Sequence, residues 1–165
     1  MISIRLAPCL TFVILAISTP APIASQTAPP AQTPSPYHIT VTPLDRQVGP
    51  GQEFAVKLRV TNRSLDPQTF AAMSCGWLAN WRARPSQRSA GSHVSLGAGY
   101  ACDANILRTI TLKPGESYDK QTVMCAWSDR KQHRVKVDFQ VGFATSPEGE
   151  SPVYWSDEAM IEVVK

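Results

Sequence analysis

The sequence predicts an all-β fold, an antiparallel sandwich of seven to eight strands, and three observations predict it. Short β-branched stretches alternate apolar and polar residues, most clearly Phe54, Val56, Leu58 and Val60 against Ala55, Lys57, Arg59 and Thr61. Turn signals rich in Pro and Gly separate these stretches at intervals of roughly 10–15 residues. No segment sustains a 3.6-residue period, although Trp77 to Arg82 has room for one helical turn. A sheet with one wet face accounts for the alternation. A closed barrel is the alternative architecture.

The chain has 165 residues, enough for one domain and an extension. Its formal charge of +3 is mild and gives no case for nucleic acid, which calls for a concentrated basic face. In residues 1–25, Arg5 is followed by an apolar run from Leu6 to Ile17 and then by small residues up to Ser25. That order is a secretory signal peptide, cleaved after Ala24 or Ser25. The run is shorter than the roughly 20 residues of a spanning helix, so no stable membrane span is expected after cleavage. Cys9 follows Pro8 and precedes most of the run, the reverse of a lipoprotein signal. The expected location is therefore periplasmic or extracellular. Residues 26–36 are uncharged and rich in Pro, too poor in apolar side chains to offset the entropy of ordering, and read as a disordered linker. The folded domain spans 37–165.

Within it, Tyr37, Ile39 and Val41 alternate with His38, Thr40 and Thr42 as a first strand that Pro43 ends. Pro50-Gly51 suits the centre of a type II turn and leads into the Phe54–Val60 strand. Asn62-Arg63-Ser64 opens the next turn and spells a glycosylation sequon. Thr69 to Cys75 is a third strand. From Cys75 to Cys102 the chain is too irregular to read as strand or helix, apart from a short edge strand at His93–Leu96. Leu107–Leu112, Tyr118–Trp127, Val135–Phe143 and Val153–Val164 complete the set, the last bending at Asp157-Glu158. Pro114-Gly115-Glu116 before Tyr118 echoes Pro50-Gly51-Gln52-Glu53 before Phe54.

From about Gln47 onward the chain resembles bacterial immunoglobulin-like sandwich domains. The resemblance is carried by Pro50-Gly51-Gln52-Glu53-Phe54, by Val60-Thr61-Asn62 and by Leu112-Lys113-Pro114-Gly115-Glu116. The pattern is similar to that of the BsuPI-type proteinase inhibitor domain, and to small exported proteins with a Met-Ser-Cys-x-Trp segment and a later Cys-Asp, here Met73–Trp77 and Cys102-Asp103. The resemblance implies an immunoglobulin-like sandwich and, as an alternative activity, inhibition of an exported protease.

Signal cleavage leaves Cys75, Cys102 and Cys125, of which two are expected to pair in an oxidising compartment. A Cys75–Cys102 bridge would contribute on the order of 3–4 kcal/mol in the chain-entropy model. Cys125 is then left over, either buried and inert on its strand or competing for a partner. The bracketed segment holds Trp77, Trp81, Arg82, Arg84 and Arg88, residue types enriched at interface hot spots. A bridge would lower the cost of ordering such a loop on binding. The expected function is thus a non-catalytic exported module of the bacterial envelope that contacts a protein partner through this loop.

No catalytic, cofactor or metal-ligand set is expected. His38, His93 and His133 are scattered, and His133, Asp129 and Ser128 do not combine a base, an orienter and an oxyanion site. Gly97-Ala98-Gly99 lacks the strand-to-helix setting of a phosphate loop. Met73, Cys75 and Cys125 are the residues on which a weaker copper or redox reading would rest.

Overall fold

The computed structural model describes residues 35–97, 105–148 and 150–165. The expected signal peptide, most of the linker and Cys102 lie outside them. The described chain forms β1 (Tyr37–Pro43), β2 (Gln47–Val48), β3 (Glu53–Asn62), β4 (Gln68–Met73), β5 (Trp81–Pro85), β6 (Ser92–Leu96), β7 (Leu107–Leu112), β8 (Ser117–Ser128), β9 (Arg134–Ala144), β10 (Val153–Trp155) and β11 (Ala159–Val164). One-turn 3-10 helices at Trp77–Asn80 and Gln87–Ser89 flank β5. The fold is an all-β sandwich of mostly antiparallel strands.

Alternation decides which residues meet. In β3 the side chains of Phe54, Val56, Leu58 and Val60 are buried, and in β9 those of Val135, Val137, Phe139, Val141 and Phe143. These two rows form the centre of the core, with Phe54 and Phe139 edge to face at 6.1 Å. Burial of each such side chain is worth about 1.5–3 kcal/mol. The register of β8 puts Thr122, Met124, Ala126 and Ser128 inward, so Cys125 points to the outer face. It is a half-buried free thiol there, not the buried strand cysteine of one of the two readings.

The first sheet runs β1-β3-β8-β6, antiparallel throughout. The second is built on β9, which pairs with β5 along one edge and with β10 and then β11 along the other. β2 adds to β11 in parallel. β4 and β7 form a separate antiparallel pair, tied to the end of β9 by the Ala71 N–H donating to the Thr145 carbonyl at 2.9 Å. Both Pro-Gly turns form as expected. Gly51 and Gly115 have φ of 70° and 80°, and the closing bonds are Gln52 N–H to Gly49 O and Glu116 N–H to Lys113 O.

Eleven strands exceed the seven to eight expected for three reasons. β2 is only a two-residue pairing. The last expected strand is split, since Trp155 sits opposite Gly142 but Ala159 opposite Phe139, leaving three residues to face two in a bulge. The third reason is β5, which corrects the reading of the Cys75–Cys102 segment as too irregular for a strand. Trp81 and Ala83 turn inward while Arg82 and Arg84 turn out. That segment supplies the edge strand of both sheets, β5 to the second and β6 to the first. Asn62 is also corrected. Its side chain is buried and donates to the carbonyls of Asp66 and Leu112, each at 2.9 Å, so it is no glycosylation acceptor in the folded chain.

Candidate functional site

The residues expected to form a contact surface divide between two sides of β5. Trp81 is 2% exposed, its ring 5.1 Å from that of Phe143, so it packs the core. Trp77, 9% exposed in the 3-10 turn, has the Lys120 ammonium 5.4 Å from its ring centre. Neither tryptophan offers a face to a partner. Arg82, Arg84 and Arg88 do face outward.

What the arginines meet there was not read from the sequence. Gly142 lies on the outer face of β9, opposite both Arg82 and Trp155. A Cβ at Gly142 would stand 2.7 Å from Val153 Cγ1 and 3.0 Å from Trp155 Cε3, so the absence of a side chain lets the indole lie flat on the sheet. The Arg84 guanidinium stacks on that indole, 3.7 Å from its centre. Gln140, the cross-strand neighbour of Arg84, accepts from Nε at 3.2 Å and from Nη2 at 2.9 Å through Oε1. Gln140 is itself held, donating to the Ser156 carbonyl at 2.8 Å. Arg82 donates to the carbonyls of Ala79 and Trp81 at 2.7 and 2.9 Å through one nitrogen, Nη1. The result is an ordered cation on an aromatic plate, and some guanidinium nitrogens of both arginines have no partner among the described residues.

Beside it, Arg84, Pro85, Ser86, Gln87, Arg88, Gln140 and Glu158 line a groove of about 380 Å³. Arg88 pairs with Glu158, whose hydrogen bond and then charge push the guanidinium further above its ordinary value. One signal for this site was present in the sequence. A glycine inside the alternating run Val141-Gly142-Phe143 marks a close approach from another element.

The segment's two ends meet at Asn105. Its Oδ1 accepts from the N–H groups of Cys75 at 3.3 Å and Gly76 at 2.9 Å. The Ser74 N–H donates to the Ile106 carbonyl at 2.8 Å, which extends the β4–β7 ladder to that point. Elsewhere the other weighed residues lie apart. Asp129 approaches His93 at 3.5 Å rather than His133, and the Ser128 hydroxyl is engaged with Ser92 and the Gly91 carbonyl. Among the described residues no three of His, Cys, Asp and Glu converge as metal ligands, and no helix is long and apolar enough to cross a membrane.

No family model and no curated protein matches the chain. Among solved structures it is similar to a FixG-related protein from Vibrio parahaemolyticus, at 14% identity over 78% of this chain and 97% of that one, with a TM-score of 0.40. A likeness at that level says nothing about what this chain binds.

Proposed function

We propose that the chain is an exported, non-catalytic, immunoglobulin-like binding module of the bacterial envelope, which contacts a protein partner through the outer face of β5 and β9. The observation that carries this reading is the stack of Arg84 on Trp155, fixed by Gln140 and seated on Gly142. A long side chain that is already ordered loses little entropy on binding, and Arg and Trp are the residues that dominate interface energetics. The immunoglobulin-like assignment is supported by strand order. With β1, β3, β5, β6, β8, β9 and β10–β11 taken as A to G, the two sheets are A-B-E-D and C-F-G, the constant-type arrangement. Export is supported by the leader, and the Cys75–Cys102 bridge by the clasp that Asn105 makes with the Cys75 turn.

The test is site-specific photocrosslinking from position 87, on the rim of the groove, in intact cells. The reading expects a discrete adduct that Arg84→Glu and Trp155→Ala each abolish, with secreted protein levels unchanged. An adduct insensitive to both substitutions, or a chain retained with its leader in the cytoplasm, would overturn it.

A further inference from the structure

The second candidate surface lies on β7, away from the Arg84–Trp155 stack, and rests on backbone chemistry. In an antiparallel pair, bonded residues alternate. The bond from Ser74 N–H to Ile106 O makes that a bonded pair, so Ala72–Arg108, Phe70–Ile110 and Gln68–Leu112 are bonded pairs in turn. The odd-numbered residues of β4 accordingly point the other way, and Ala71 does so, to Thr145. On β7 the same rule turns the N–H and C=O of Leu107, Thr109 and Thr111 outward. None of these six groups has a partner among the described residues.

Sheet edges are ordinarily blunted, and β5 illustrates how. The backbone groups that face away from β9 belong to Trp81, whose N–H is taken by Leu78 O, to Ala83, and to Pro85, which has no N–H. β7 has none of these devices. Leu107, Thr109 and Thr111 are exposed, Leu107 by 51%, and Ile106 before them by 59%. On its other face Arg108 and Ile110 join Met73, Tyr118 and Lys120 around a groove of about 360 Å³. Lys120 is held over the Tyr118 ring at 5.1 Å, and neither it nor Arg108 has an acidic partner among the described residues.

We infer that β7 is a docking edge for an extended acidic segment of a partner protein, which adds as a further strand. Its backbone takes the outward groups of Leu107, Thr109 and Thr111, alternate carboxylates face Arg108 and Lys120, and the intervening apolar side chains cover Leu107 on the opposite face. Two cations without counterions select an acidic strand over a neutral or basic one.

The probe is an acetylated, amidated heptapeptide alternating valine and glutamate, added to the folded chain and followed by amide hydrogen exchange and fluorescence anisotropy. Protection is expected at Leu107, Thr109 and Thr111. Arg108→Glu with Lys120→Glu should weaken binding by at least about tenfold and favour the lysine counterpart of the peptide. Thr109→Pro removes an N–H that the fold does not use, so it should abolish binding while leaving the near-ultraviolet circular dichroism intact. A peptide N-methylated at alternate residues tests the same bonds with the protein unaltered, and should not bind. No protection at about 1 mM peptide, equal binding of the lysine peptide, or full binding of the N-methylated one would each overturn the inference. Protection that grows with protein concentration in the absence of peptide would assign the edge to a second copy of this chain and overturn the acidic partner.

Discussion

Asn80 stands at the end of the first 3-10 turn with its Nδ2 shared between the carbonyls of Ala71 and Ala144, 2.8 Å from each. It joins β4 to the end of β9 from a buried position. Asn80→Ala leaves the buried Ala144 carbonyl and the part-buried Ala71 carbonyl short of a donor and is expected to cost about 2–4 kcal/mol in urea unfolding. This role is invisible in the sequence because both partners are distant and asparagine in a turn needs no tertiary explanation. The same holds for Asn62, which reads as a sequon until its burial is seen. Cys125 illustrates a different limit, since its direction depends on which face of β8 turns inward, and pairing with β3 decides that. Burial, and then the Glu53 carboxylate opposite, push its thiol above the ordinary value. Alkylation by iodoacetamide is expected to be slow at neutral pH, with a midpoint that Glu53→Gln lowers. On the same face the Asp119 carboxyl is held below its usual range, first by the hydrogen bond from Arg59 at 2.6 Å. A depressed folded-state value stabilises above the unfolded pKa and is lost as pH falls through the folded one. Arg59→Met should therefore reduce the loss of stability on acidification, read as a flatter midpoint against pH below about 4.

At the scale of elements, β3 and β9 were legible because each is long enough for alternation to repeat four or five times. β5 was not, because five residues carrying two arginines and a proline look like a loop, and only the partner β9 makes a strand of them. The break between β10 and β11 was legible as a bend, but its mechanism was not. The Ser156 hydroxyl accepts from the Val141 N–H at 3.0 Å, taking the place of a ladder carbonyl, while the Ser156 N–H returns to Val141 O at 2.9 Å. The outer face of β9 shows how elements build a surface together. Gly142→Val would drive Val153 and Trp155 off the sheet, at a cost of about 1–3 kcal/mol. The expected signature is a fluorescence shift of Trp155 together with loss of the Arg84 stack. Were Trp155 emission unchanged in that variant, the indole would not be seated on Gly142 at all.

At the scale of the molecule, composition and turn spacing were sufficient for an all-β sandwich, because a period of two survives any arrangement of strands. They were silent on where the bracketed segment goes, since strand order depends on contacts remote in sequence. The reading of Cys75 to Cys102 as an irregular loop is replaced by one in which the segment supplies a strand to each sheet. One short connection, through Gln87–Ser89, carries the chain from the edge of the second sheet to the edge of the first. This has a kinetic consequence. Neither sheet acquires its last strand until the other is in position, so partial structures gain little, and the chain must search long-range pairings before any reward arrives. Folding in milliseconds to seconds and a single cooperative transition are expected. Near-ultraviolet signal from Trp81, inside the second sheet, and amide exchange at His93 and Trp127, stacked at 5.1 Å on the first, should report one unfolding free energy.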